Sequence, residues 1–318
     1  MADKPYSGGI PPRPKLAPKR EKEVADLLVG AIDLHCHSGP AAMPRILDHH
    51  EALMDAAEAK FAGLLYKDHY YPGMAHAAIL EKLFPNTGVK LFSGIALNNA
   101  SGGINPHAVD HTVKLGGKIV WFPTFAAQNH INAYASGDAK SFPKTSQKML
   151  DPIPLSVLDS AGRLTDDTRK VLDIIAEANV ILAGGHLHAS ELFKLFEEAR
   201  KRGVKKLMVN HPTYVVGCSD ADIRGLVALG AYVEHSICMF VAGRAHKWEP
   251  AELVRLKDLA GVDRTVLGSD LGLTQAPRPV DGFRMIVNAL LDLQVPSAEI
   301  KKMISGNGAK LLDLEVAA

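Results

Sequence analysis

The chain has few cysteines, no long apolar run and no charge imbalance, and each lack removes a class of protein. Cys36, Cys218 and Cys238 are the only three cysteines, an odd number at wide spacing. That argues against a disulfide framework and against a zinc knuckle, and it fits a reducing, cytoplasmic setting. No stretch approaches the roughly 18 apolar residues of a membrane span, and the opening MADKPYSGGIPPRPK has no apolar core of a secretory signal. The sequence reads as that of a protein neither exported nor inserted in a membrane. A formal net charge of +1 over 318 residues leaves no global field for nucleic acid or an anionic bilayer. The densest basic cluster, Lys201, Arg202, Lys205 and Lys206, falls where a helix is expected to end, a position that favours cations for its own reason. A small-molecule partner is what remains.

What is present suffices for one large core, because 47% of the residues are hydrophobic and 22% charged, as in ordinary globular domains. Residues 1 to about 16 are rich in Pro and Gly and read as an arm, followed by helical spacing from Lys19 to Leu28. Residues 1–30 are therefore expected to be an N-terminal arm and helix ahead of the barrel. An arm of this kind is ordered only when something pins it, so a homo-oligomer is expected.

From residue 31 to 318 short β-rich apolar runs alternate with helical stretches. The eight candidate strands are Ala31 to His37, Ala62 to His69, Lys90 to Asn98, Lys118 to Phe125, Val180 to His186, Lys206 to His211, Ala231 to Ser236 and Arg264 to Asp270. Strands alternating with helices predict an α/β fold with a parallel sheet, and eight such units close most naturally as a (β/α)8 TIM barrel. The pattern fails between about 126 and 163, which predicts a long insertion after the fourth strand, placed to act as a lid.

Nearly every candidate strand is apolar until its last residues, which are His, Asp, Lys or Asn. In a barrel those ends meet at one mouth, the C-terminal end of the strands. His35 and His37 are two apart, so they share a face and form a chelating pair. His186, His211 and Asp270 add three further donors. Five such groups predict a divalent-metal site, with zinc as first choice and manganese or iron fitting the same donors. A metal there acidifies water toward a pKa of about 7 and polarises a carbonyl or phosphoryl oxygen, which predicts hydrolysis with Asp270 moving the proton. Lys67 and His69 share the inward face of the second strand and are expected to join Asp270 in catalysis. His69 would act there as a further ligand or as an electrophile, and Asp68 would face the helices.

His188, His235 and Arg278 are the candidate substrate contacts, Arg278 for a carboxylate. Arg45, Asn98, Asn129 and His130 are further loop or strand-end candidates. Glu234 and His235 are adjacent and cannot both face inward on a regular strand, and His235 is the expected inward residue. His49, His50, His76, His107, His111 and His246 are expected to be bystanders.

Asp33-Leu34-His35-Cys36-His37, the strand ends at His186 and His211, and Gly268-Ser269-Asp270 resemble the amidohydrolase superfamily of metal-dependent hydrolases. Asn307-Gly308-Ala309-Lys310-Leu311-Leu312 is similar to that superfamily's closing helix. The resemblance implies that His35 and His37 hold a buried metal, that His186 and His211 hold a second or shared one, and that Asp270 holds the attacking water. It further implies cleavage of an amide, lactone or ester of a small molecule. Many members carry a bridging Lys or Glu at the end of the fourth strand, whereas Ile119-Val120-Trp121-Phe122-Pro123-Thr124 has none there, and Lys67 lies on the second strand. His35-Cys36-His37-Ser38 with Tyr66-Lys67-Asp68-His69 is also similar to PHP phosphoesterases, which have seven strands, so phosphoester cleavage is the alternative. Decarboxylation or hydration on the same barrel is another.

Overall fold

The computed structural model describes residues 13, 15–137, 145 and 147–315. Most of the arm expected over residues 1 to 16 lies outside the described residues, as does part of the insertion. The expected helix begins at Pro18 and runs to Leu28.

Eight parallel strands form one sheet in chain order: β1 (Ile32–Cys36), β2 (Gly63–Tyr66), β3 (Lys90–Ala96), β4 (Ile119–Trp121), β5 (Ile181–Ala183), β6 (Leu207–Asn210), β7 (Tyr232–Ser236) and β8 (Thr265–Gly268). The sheet curls into a nearly closed barrel, and its seam is stitched at the mouth. The backbone N–H of His37 donates to Leu271 O (2.9 Å), and that of Asp270 donates to His35 O (2.7 Å). The Asp33 carboxylate accepts from Ser269 N at 2.8 Å. This is a (β/α)8 TIM barrel with eight strands, not the seven that the phosphoesterase resemblance would require.

Two apolar clusters follow from the alternation of side chains across the sheet. Ile32, Leu34, Leu65, Ile119, Trp121, Ile181, Met208 and Val266 fill the barrel interior. Leu64, Tyr66, Val120, Leu182, Leu207, Val209, Val233 and Leu267 face the helices. Ala309, Leu311 and Leu312 of the helix Asn307–Leu312 pack onto the interior cluster, and Asn307 donates to Val262 O and Thr265 O at 2.8 and 2.7 Å. The interior is thus packed along its length, and room for chemistry is left at the mouth.

The insertion holds the helix Gln128–Ser136 and short bridges joining Ala127 to Leu155 and Leu158 to Leu164. Among the described residues no helix is long and apolar enough to cross a membrane.

Candidate metal centre

The strand ladders stop before the polar residues that the sequence placed on them. β2 ends at Tyr66, β5 at Ala183 and β8 at Gly268, so His69, His186 and Asp270 stand on turns beyond the strands. Their aim is set by backbone conformation more than by strand alternation: Gly185, His211 and Asp270 have φ of 61°, 29° and 49°. Non-glycine residues at positive φ are uncommon, cost of order 1 kcal/mol or more, and gather at functional sites.

β1 departs from strict alternation as well. Its register against β2 shifts between Asp33 and Cys36. This bulge lets Leu34 join the interior cluster while the next residue, His35, also turns inward and Cys36 faces the helices. His35 and His37 end on one side, as expected, but the bulge is what puts them there.

Five imidazoles form a ring. Centroid separations run 5.2 Å from His35 to His37, 5.1 Å to His69, 6.4 Å to His186, 5.0 Å to His211 and 6.3 Å back to His35. All five are buried. In each, Nδ1 meets a partner outside the ring: Glu234 Oε2 for His35 (3.0 Å), the Lys67 carbonyl for His37 (2.8 Å), Thr124 Oγ1 for His69 (2.9 Å), His130 Nδ1 for His186 (2.8 Å) and the Tyr214 carbonyl for His211 (3.3 Å). Nε2 is the nitrogen left for a ligand. Tying one imidazole nitrogen to an outer acceptor is how proteins fix the tautomer of metal-binding histidines.

Asp270 stands among them, with Oδ1 3.2 Å from His35 Nε2 and 3.0 Å from His37 Nε2. A carbonyl can only accept, so His37 Nδ1 carries a proton that it donates to Lys67 O. Burial first, and then the Arg45 charge, push His37 down to about 3, so it is neutral near pH 7 and its Nε2 is bare. A neutral His37 in this tautomer turns a bare nitrogen toward a carboxylate oxygen 3.0 Å away, a pair of donors that a cation would satisfy. Burial also holds His69 and His186 well below the usual range and lowers His211. Burial would raise the Asp270 carboxyl, but His35, His37 and His211 around it outweigh that and hold it well below normal. Neutral imidazoles around an ionised carboxylate are the protonation states a divalent metal requires. His35, His37 and Asp270 have ligand atoms all within 4.8 Å of one another.

A positive charge already sits at this spot. Lys67 Nζ donates to His35 Nε2 at 2.9 Å and lies 5.1 Å from the Trp121 ring centroid, while burial brings its pKa down to about 8. The ammonium stands in for a cation, so the donor set fits one.

The structure gathers Lys67, His69, His35, His37, His186, His211 and Asp270 as the sequence suggested, but it does not bring the three expected substrate contacts to them. Glu234, not His235, faces inward: its carboxylate accepts from His35 Nδ1, from Asn210 Nδ2 at 2.6 Å and from Ser236 Oγ at 3.1 Å. His235 points behind the sheet toward Phe240. His188 is exposed and caps the helix Ala189–Lys201, its Nδ1 accepting from Ser190. Arg278 pairs with Asp55 at 2.8 Å on the outer layer. His130, beside His186, and Asn98, which braces Thr124, support the ring. Asn129 joins two loops by donating to His186 O and Val215 O, and Arg45 lies near Asp68 at 3.6 Å. His49 and His76 are no exposed bystanders either. They stack at 3.9 Å, and His49 binds Ser38 Oγ and Tyr71 OH.

Solved structures with this fold include an amidohydrolase from Pseudomonas aeruginosa, with a TM-score of 0.60 at 12% identity over 92% of this chain and 98% of that one. The probable dipeptidase PvdM from the same organism gives 0.64 at 12% identity, over 93% and 98%. The organophosphorus hydrolase of Deinococcus radiodurans gives 0.52 at 15%, over 91% and 93%. At such identities the likeness is one of fold. No curated protein sequence matches the chain. Residues 30–234, which carry the first six strands, the start of the seventh and every ring histidine, match the family described as "Family of unknown function (DUF6282)", and the chain belongs to that family.

Proposed function

We propose that the protein is a metal-dependent hydrolase that cleaves an amide, lactone or ester bond of a small molecule at the mouth of the barrel. The observation that carries this reading is the convergence of His35, His37 and Asp270, with ligand atoms all within 4.8 Å of one another, inside a ring of imidazoles anchored through Nδ1. The similar solved structures include an amidohydrolase and a hydrolase of organophosphorus compounds, which supports the class without naming the substrate.

His35, His37 and Asp270 would hold one divalent cation, and His186 and His211 would share it or hold a second. Imidazole-rich donors favour zinc, manganese or iron over magnesium or calcium. When bound, the metal acidifies water and polarises the scissile carbonyl. Asp270, whose side chain is 18% exposed where His35 and His37 are 1% and 2%, is the ring's point of contact with the mouth. Its carboxylate takes the proton of the attacking water and returns it to the leaving group. Lys67, from within the ring, supplies positive charge toward the oxygen that becomes negative. Glu234 holds His35 in its tautomer.

Elemental analysis of purified protein, with turnover measured on amides, lactones and esters, tests the proposal. Transition metal near or above one equivalent is expected, with activity lost on chelation and restored by zinc or manganese. Asp270→Asn should retain measurable metal and lose about 100- to 10,000-fold in turnover. Metal-free protein with full activity, or carbon dioxide release without water-dependent cleavage, would overturn it.

A further inference from the structure

Building on that reading, we propose that His69 is itself a ligand of the bound cation, delivered from the end of β2 into the gap left by a donorless β4. The argument begins with what β4 lacks. Its strand and the two residues after it, Trp121, Phe122 and Pro123, offer no side-chain donor for a cation, although the strand runs between β3 and β5 toward the same mouth. The first polar residue beyond is Thr124, fully buried, and its hydroxyl reaches across to His69 Nδ1 at 2.9 Å. β4 thus reaches the ring indirectly, by holding an imidazole that belongs to β2.

The holding is built in several bonds. Asn98, at the end of β3, donates through Nδ2 to Thr124 Oγ1 (2.6 Å) and to the His69 carbonyl (2.9 Å), and its Oδ1 accepts from Thr124 N (2.9 Å) and Ala126 N (3.0 Å). One lone pair of Oγ1 is taken by Asn98, and the other can accept from His69 Nδ1–H, the tautomer that a ligand role requires. Ring and backbone of His69 are both fixed, which leaves Nε2 as its only ring nitrogen for a ligand. The faces of the ring are covered too: His37 stacks on it at 5.1 Å with 24° between planes, and Phe125 lies 4.0 Å away. Only an edge is presented. His69 is the member joining the His35–His37 pair to the His186–His211 pair, the place where a ligand shared between two halves of a site belongs.

A rival role exists, in which His69 donates a proton to the substrate as an electrophile. That role needs Nε2–H, whereas a ligand needs Nε2 bare, so the two differ in metal binding and not only in rate.

The test uses full-length protein stripped by a chelator and titrated with Zn2+ and Co2+ against a chromophoric competitor, with the Co2+ absorption spectrum recorded at each step. His69→Gln should lose one bound equivalent or bind at least about 100-fold more weakly, with an altered Co2+ spectrum. Thr124→Val, which keeps the imidazole but removes its anchor, should weaken binding by about 10-fold, the size typical of an outer partner of a ligand. Thermal melts of both variants establish folding, and Thr124→Val carries the test alone if His69→Gln does not fold. Unchanged stoichiometry, affinity and spectrum in the folded variants overturn the assignment, even if turnover is lost. Wild-type protein that binds neither ion sinks the hydrolase reading, and this inference with it.

Discussion

At Glu234 and its neighbour His235 a single step of strand parity separates a group that shapes the metal centre from one behind the sheet. Glu234 is fully buried and accepts three hydrogen bonds. Burial alone would raise its pKa, but His35, through charge and hydrogen bond, together with His211 and Asn210, brings it down to about 2. It is therefore an anion that fixes His35 Nδ1–H and makes Nε2 a better donor. Replacing it by Gln sets an amide where three donors need an acceptor, and Glu234→Gln should weaken zinc binding by about 10- to 100-fold. His235→Leu should leave affinity within about two-fold of wild type. Equal effects in the two variants, measured by competition titration, would refute the parity assignment. The sequence hid this parity for a physical reason: in a parallel sheet both faces are buried, so Tyr232-Val233-Glu234-His235-Ser236 shows no apolar–polar alternation to choose a side. Chemistry-bearing residue types were legible at the mouth; which of two neighbours faced inward was not.

The same distinction recurs in the elements. Eight strands and their closure as a barrel could be read because apolar runs and helical periods are local signals. The last turns could not, since what aims His186, His211 and Asp270 is close backbone approach between strands far apart in sequence. Gly185 shows this best. It has φ of 61°, and a Cβ there would lie 2.2 Å from Phe122 O and 2.6 Å from Pro123 O, which also accepts the His186 N–H at 2.9 Å. Gly272, at φ 119°, is pressed equally hard against His37 O, 1.6 Å from where a Cβ would stand. These glycines let the ends of β4 and β5, and of β8 and β1, close on one another. Gly185→Ala must therefore push the β4 turn away and carry His186 out of the ring. Gly203 is the control, because it has φ of 86° with nothing within 4 Å of its Cβ position. Gly203→Ala should cost about 1 to 2 kcal/mol from backbone strain alone, with metal affinity intact. Gly185→Ala should cost clearly more and weaken zinc binding at least 10-fold. Urea melts beside zinc titrations of the two variants check this, and equal losses would show that close approach is not what matters.

For the molecule as a whole, its deeply buried histidines fix the direction of its acid sensitivity. His37 and His235 are buried and held down to about 3 and 4, chiefly by desolvation, while in the unfolded chain each titrates near 6.5. Below 6.5 the unfolded state therefore binds protons that the native state refuses, and stability falls as pH falls. Between 6.5 and 5 each such group removes about 2 kcal/mol, and His69 and His186, lowered further still, act in the same direction. Asp33 opposes them: burial raises it to about 6 against the pull of its Ser269 and His35 hydrogen bonds, so it gains its proton earlier in the native state. It returns on the order of 1 kcal/mol between pH 6 and 5. The imidazoles outnumber it. Metal-free protein should lose several kcal/mol of unfolding free energy between pH 7 and pH 5, as measured by urea melts at fixed ionic strength. Zinc should raise the neutral end of that curve most, because ligands that must be deprotonated bind less tightly as acid is added. The gap between the zinc-loaded and stripped curves should therefore narrow toward pH 5. A gap that stayed constant with pH would mean the bound ion is not held by imidazoles, whatever else holds it.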